Sequence, residues 1–374
     1  MRLRTTAAAA AASLLSVGAA AVAAGRYAIG AALKPAPDRP LPNEPPLTVH
    51  GTDDGRITLT RSLASLRPGT YGLAGRDCHA VVGPVIEDVP HPADCVVRRL
   101  EAITHGALEP GARVRLTPQV HNGNPRDTLG IDHADVDVPG ELGPLPAWFI
   151  PGERTTWVIT THGLGTTREH PMVVMPFLRR LRVPVLDLAY RGDPGAPRPE
   201  DRIGHLGDIE WRDLDAAIRY AVRYGAQDIV LHGWSTGATM ALHAAANSAL
   251  RHRVRGIVLD SPVLDWRATL RALALAHGTP AALLPLVMRA AEGRGLGESA
   301  LAEACDPERL AVPTLLFHGP DDTLAPWSVS RELAARRSEL VTLHTVRQAP
   351  HAAMWNADPH GYEEVLRRFL TPLL

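Results

Sequence analysis

Residues 233–237 read GWSTG, a serine between two glycines, entered from the apolar run DIVL and left through an alanine-rich run. A serine hydroxyl is a poor nucleophile at neutral pH. It becomes a good one when a base takes its proton and an acid orients that base. The chemistry to look for is therefore acyl transfer through a covalent intermediate on Ser235. The pattern G-x-S-x-G suits it when strand precedes and helix follows, because the serine then sits on a strained turn that tolerates only tiny flanking residues. Such a turn lifts Oγ above the sheet and aims a helix N-terminus at the reacting atoms. The plain alternative is a small residue in an ordinary strand-to-helix connection.

The chain holds seventeen histidines, so position has to choose the base. The stretch LVTLHTVRQAPHAAMWN puts His351 in a loop between a late strand and the last helix, while His344 lies inside the strand and reads as structural. For the acid, HGPDDTLAP follows VPTLLF, so Asp321 and Asp322 both leave a strand end. Asp260 in VLDSP leaves another and is either a variant acid or a turn cap. His162 reads as ordering its loop, His232 as packing beneath the serine turn, and Asp187 and Asp193 as structural. Arg191 reads as a surface ion pair, with a substrate carboxylate as its other possible partner.

These residues need a frame that brings distant loops to one edge. From about residue 145, apolar runs alternate with helical ones: WVITTHG, VPVLDLAYRG, DIVLHGWS, RGIVLDSP, VPTLLFHG and LVTLHTV are strands. GDIEWRDLDAAIRYAVRYG is helical, with Trp211, Leu214, Ile218 and Val222 at helical spacing and Gly225 as its stop. Strands apolar throughout predict a parallel sheet covered on both faces, which binds ligands at the strands' carboxyl ends. Residues 262–310 break the alternation with alanine- and leucine-rich helices and no strand, an insertion placed to act as a lid. Residues 47–144 carry short β-like runs broken by turn residues and read as a small β-rich module. Residues 34–46, KPAPDRPLPNEPP, are a proline-rich spacer.

The first 33 residues combine a basic start, MRLR, with a long alanine-rich apolar run. That pattern predicts an apolar helix acting as an export signal or membrane anchor, with the remainder extracytoplasmic, anchored or secreted. An exported chain makes a Cys78–Cys95 disulfide the natural expectation; zinc at Cys78, His79, His91 and Cys95 fits no finger spacing. Cys305 reads as a buried small hydrophobe. A formal net charge of −1 and the lack of a basic stripe argue against nucleic acid as a partner.

The stretch from about 145 to 374 resembles the α/β-hydrolase superfamily. HGPDDTLAP is similar to that family's acid motif H-G-x-x-D-x-x-V-P, in which the last Asp is catalytic; this selects Asp322. The order Ser235, Asp322, His351 is the family's triad order. THGLG at 161–165 resembles the H-G motif whose following backbone completes the oxyanion hole, implying N–H groups of Leu164 and Thr236. YRGD, EWRDLDAAI and GWSTG are most similar to exported or membrane-anchored actinobacterial hydrolases labelled esterase-like or acylaminoacyl-peptidase-like. Ala238, Pro350 and Ala325 depart from the usual glycine, glycine and valine of these motifs. The resemblance implies a serine hydrolase acting on an ester or short peptide without metal or organic cofactor. A peptidase, an acyltransferase with the same triad, and a catalytically silent binding protein are the other readings.

Overall fold

Three strands, β9 (Thr156–Thr161), β10 (Val185–Leu188) and β13 (Thr314–His318), are buried at every position, as sheet interiors shielded on both faces must be. They belong to an eight-stranded sheet in a computed structural model that describes residues 23–34, 41–42, 44–296 and 306–374. With β7 (Ala134–Pro139), β8 (Pro144–Ile150), β11 (Asp228–Trp234), β12 (Val254–Asp260) and β14 (Val341–Thr345), the spatial order is β14-β13-β12-β11-β9-β10-β8-β7. The six strands from β14 to β10 run parallel; β8 and β7 are antiparallel additions at one edge.

We number the helices used below α1 (residues 23–33), α2 (Trp211–Arg223), α3 (Thr236–Asn247), α4 (Trp266–Ala276), α5 (Leu284–Glu292), α6 (Trp327–Arg336) and α7 (Pro359–Leu370). Leu214 and Ile218 of α2, Ala241 of α3 and Leu333 of α6 pack on one face of the sheet. Phe177 and Leu178, with Tyr362, Leu366 and Leu370 of α7, cover the other.

The N-terminal β-rich module is a closed barrel of antiparallel neighbours, ordered β1-β2-β5-β4-β3-β6. Its strands are β1 (Leu47–Asp53), β2 (Arg56–Thr60), β3 (Tyr71–Ala74), β4 (His79–Val85), β5 (Cys95–His105) and β6 (Arg113–Thr117). Alternating residues such as Leu47, Val49, Ile57, Leu59, Val114 and Leu116 fill its interior, and closure leaves no free edge. One charge is buried there. Arg98 donates to the carbonyls of Gly83, Ser65, Arg67 and Gly69 at 2.7–3.0 Å, fastening β5 to the 65–69 loop. Burial pulls its pKa down to about 10. The barrel closes at Thr117, and β7, which precedes residue 145, pairs into the large sheet.

Within the 262–310 insertion the described residues form α4, two short 3₁₀ turns (Ala281–Leu283 and Pro307–Arg309) and α5. These helices bury Leu270, Leu273 and Val287 against Ile29 and Leu33 of α1. Residues 1–22, which carry most of the expected apolar helix, lie outside the described residues, as do 297–305 with Cys305. Among the described residues no helix is long and apolar enough to cross a membrane. The described part of the expected anchor, α1, is instead spent on packing: Ile29 and Leu33 have no exposed surface.

The expected disulfide is absent. Cys78 and Cys95 are both free, Cys95 lying buried at the start of β5 with its thiol 3.7 Å from Asp94 Oδ1. His79 and His91 are likewise hydrogen-bonded to oxygens, of Thr104, Gln119 and Val89, rather than to the cysteines.

Candidate active site

β11 ends at Trp234 and α3 begins at Thr236, so Ser235 alone makes the turn, with φ 53° and ψ −116°. That is a strained conformation for a residue with a Cβ. The two glycines are required by space rather than by dihedral. A Cβ on Gly233 would lie 2.3 Å from the Gly237 carbonyl, and one on Gly237 would lie 2.3 Å from the Thr161 oxygen. Gly163 obeys the same limit, since its Cβ would meet Ser235 Cβ at 2.7 Å.

His351 comes from the loop between β14 and α7 and Asp322 from the loop between β13 and α6. The Ser235 hydroxyl lies 2.6 Å from His351 Nε2, and His351 Nδ1 lies 2.7 Å from Asp322 Oδ2. With Nδ1–H donating to the carboxylate, Nε2 is free to accept the serine proton. The carboxylate is fully occupied: His318 Nε2 also reaches Oδ2 at 3.0 Å, and the backbone N–H groups of Leu324 and Ala325 donate to Oδ1 at 2.8 and 2.9 Å. Burial pushes the Asp322 pKa up, but the charge of His351 and the hydrogen bonds from both imidazoles outweigh it and hold the carboxyl well below the usual range. Asp322 therefore stays ionised throughout the neutral range.

The neighbouring Asp321 does something else, accepting the Gln348 N–H at 2.8 Å and so bracing the His351 loop. Asp260 makes no hydrogen bond to the imidazole; it is buried, bonded by the Ser261 hydroxyl, and burial pushes its pKa up to about 7. Ser261 in turn accepts the Ala352 N–H, tying β12 to the histidine loop. His344 lies in β14 with its ring edge-on to Phe317. His232 stacks on Trp234 and bonds Tyr362 beneath the serine, and burial lowers its pKa to about 3. Asp187 accepts from Thr160 inside the sheet.

His162 stands behind the expected oxyanion loop. Its Nε2 is 2.7 Å from Asp193 Oδ2 and its Nδ1 is 2.9 Å from the Gly163 carbonyl. Both partners are acceptors, so hydrogen bonds at both nitrogens favour the protonated ring. Burial opposes that charge, and Asp193 overcomes it, raising the pKa. Arg191 corrects the surface ion-pair expectation. It is buried and forks onto Asp213, with Nε–Oδ2 at 2.9 Å and Nη2–Oδ1 at 2.6 Å.

The sequence gives no warning that the barrel walls this site. Tyr71, Leu116 and Thr117 line a cleft together with Leu164–Thr166 and Pro350–Ala352, so His351 faces the barrel. Gln119, just past β6, accepts from Thr167 N at 3.1 Å, and Asn356 bonds Thr70 and Pro118. No motif marks either residue. His318 had a signal, since it opens the acid motif. Among the described residues no cluster of three or more His, Cys, Asp or Glu side chains has a metal-binding arrangement.

Comparison with known proteins agrees with this architecture. Residues 156–278 match the family described as alpha/beta hydrolase fold, and residues 48–117, the barrel, match a domain of unknown function (DUF8805). An esterase of Pyrococcus furiosus, Pf2001, is similar at 24% identity and a TM-score of 0.56, over 68% of this chain and 94% of its own. An alpha-beta hydrolase of Vibrio vulnificus is similar at 19% identity and a TM-score of 0.50, over 64% and 81%. The uncharacterized protein YfhR of Escherichia coli O157:H7 is 26% identical over 240 residues, 62% of this chain and 77% of its own. The chain has the α/β-hydrolase fold, and residues 156–278 carry the match to that family.

Proposed function

We propose that the chain is a serine hydrolase that cleaves carboxylic esters through an acyl-enzyme on Ser235, with His351 as base and Asp322 as its orienting acid. The observation that carries this reading is the unbroken run of hydrogen bonds from Ser235 Oγ through His351 to Asp322, mounted on the strained elbow. Oγ attacks the ester carbonyl as Nε2 takes its proton, and the carbonyl π pair moves onto oxygen. Leu164 and Thr236 N–H groups face that oxyanion; Thr236 opens α3, where the first N–H groups lack intrahelical acceptors. Collapse expels the alcohol, which takes the proton from His351. Water then gives a proton to His351, attacks the acyl carbon and releases the acid as the proton returns to Ser235.

Esters are the easiest acyl groups for such machinery. A peptidase of the acylaminoacyl type is the second reading, favoured by the barrel wall, which narrows access to short substrates. The α4–α5 insertion serves as a lid: His277, just past α4, borders a cleft that also reaches Leu164. The basic start and apolar run of residues 2–24 favour a location outside the cytoplasm, which cell fractionation tests.

The experiment is pre-steady-state hydrolysis of p-nitrophenyl acetate and of an N-acetylated dipeptide anilide by the full chain and by Ser235→Ala. A nitrophenolate burst stoichiometric with enzyme, absent in the variant, supports the ester reading. Faster anilide cleavage favours the peptidase. No turnover by the folded chain favours a silent binding protein.

A further inference from the structure

The barrel does more than narrow the site: its outer wall carries a charge pattern that the triad does not use. On β6 the alternation of the strand turns Val114 and Leu116 into the barrel core and leaves Arg113 and Arg115 outside. The register pairs Arg115 with Ala74 at the end of β3, and Arg76, in the turn that follows, lines the same cleft as Arg113. These three arginines and Lys34, at the end of α1, line one cleft of about 880 Å³ whose floor reaches Leu164 and Gly165 of the oxyanion loop. Among the described residues no carboxylate lines that cleft, and the guanidinium groups of Arg76 and Arg113 have no ion-pair partner. Arg115 donates Nε to the Glu44 carbonyl, which leaves its terminal nitrogens for another acceptor.

Four cations lining one cleft with no carboxylate among the described lining residues repel one another, in a chain whose formal net charge is only −1. A bound anion relieves that repulsion, and a concave wall focuses the field on it. The spacing gives a ruler. Thr117 borders the cleft that holds His351, and two residues of strand separate it from Arg115, about 7 Å. Arg113 lies about 7 Å beyond that. The pattern on β6 thus runs from the cleft at His351 outward to two guanidiniums, the donors best suited to carboxylate or phosphate oxygens.

We propose that Arg76, Arg113, Arg115 and Lys34 form a subsite for an anionic group of the substrate, so that this hydrolase selects esters whose acyl or alcohol part ends in a carboxylate or phosphate. This deepens the ester-hydrolase reading of Ser235 and rests on it for the word substrate, but the anion site can be tested without turnover.

The test is equilibrium binding to full-length Ser235→Ala of monomethyl adipate, dimethyl adipate and methyl 6-phosphonooxyhexanoate, repeated with Arg113→Gln and Arg113→Gln/Arg115→Gln added. Wild-type chain is treated in parallel with a fluorophosphonate. The expected result is binding of the anionic esters about tenfold or more tighter than of the neutral diester, an advantage that Arg113→Gln reduces, the double variant abolishes and raised ionic strength weakens. The tighter of the two anions identifies the group. Arg113→Gln removes no side-chain hydrogen bond among the described residues, so it separates lost recognition from lost structure. Equal binding of charged and neutral esters, or an anion preference untouched by the variants, overturns the subsite even where Ser235 is labelled. An intact anion preference with Ser235 unlabelled leaves the subsite standing and removes the hydrolase reading.

Discussion

The side-chain amide of Asn356 donates to the Thr70 carbonyl at 2.9 Å, and the Asn356 backbone carbonyl accepts the Thr70 N–H at 2.9 Å. A reciprocal pair thus joins the barrel to the segment that carries His351, five residues away. The same amide also donates to Pro118 at 3.0 Å. Gly69 lets the chains approach this closely, since a Cβ there would lie 2.0 Å from the Asn356 oxygen. The barrel is therefore part of the frame that positions the His351 loop.

Replacing Asn356 by alanine leaves the Thr70 and Pro118 carbonyls without their buried donor. The expected cost is about 1–3 kcal/mol of stability. A fall in kcat of roughly tenfold or more accompanies it, because the imidazole loop loses its brace. Denaturant melts and ester kinetics on Asn356→Ala measure both; unchanged kcat with lowered stability would separate the barrel from catalysis.

The elbow admits no methyl group at position 237. The Cβ of Gly237→Ala would meet two backbone carbonyls, of Thr161 at 2.3 Å and His162 at 2.5 Å, and neither can retreat without moving β9. A loss of about 3 kcal/mol or more is expected. Gly30→Ala, in α1 with nothing within 4 Å, is the control and should be neutral or stabilising by about 0.5–1 kcal/mol. Thermal melts of the two variants decide it, and equal melting would contradict the packing described.

The two adjacent aspartates should separate cleanly. Asp322→Asn removes the acceptor that fixes the His351 tautomer, with an expected loss of about 10³–10⁴ in kcat. Asp321→Asn keeps an oxygen for the Gln348 N–H and should stay near wild type. Because the Asp322 pKa is depressed in the fold, its contribution to stability is present above the unfolded value of about 3.9 and lost as pH falls through the folded one. A comparable loss at Asp321 would reassign the acid.

Asp260 has the opposite sign. Its folded pKa is raised by burial to about 7, so ionising it opposes folding. The penalty is absent below about pH 4, grows as pH rises, and is complete above about 7. Asp260→Asn should therefore gain on wild type progressively between pH 4 and 7 in urea midpoints. Parallel pH curves for the two proteins would contradict a buried, proton-binding Asp260.

Much of this frame is legible in the sequence, because apolar runs such as DIVL and TLLF and the turn GWSTG are local signals of buried strands and a tight elbow. The edge strand β7 and its neighbour β8 are harder to read, since Pro139, Pro144 and Pro146 interrupt their pattern. Barrel closure is illegible for another reason: β1 pairs with β6 across more than fifty residues, and no local pattern records such a partner. Gln119 and Asn356 matter only through contacts with segments 48 and 286 residues distant, so their types at their positions carry no signal. Arg191 looks like a surface charge because the Asp213 that buries it lies one helix away. The cysteines illustrate the same limit: their nearness in sequence says nothing of how their side chains are aimed.

The most direct measurement is fluorophosphonate labelling of the full-length chain, followed by peptide mass mapping, with Ser235→Ala and His351→Ala alongside. The account predicts a single adduct on Ser235, lost in the first variant and slowed by orders of magnitude in the second. A folded chain that takes no label, or one labelled equally well without His351, would contradict the claim that these residues form an activated nucleophile.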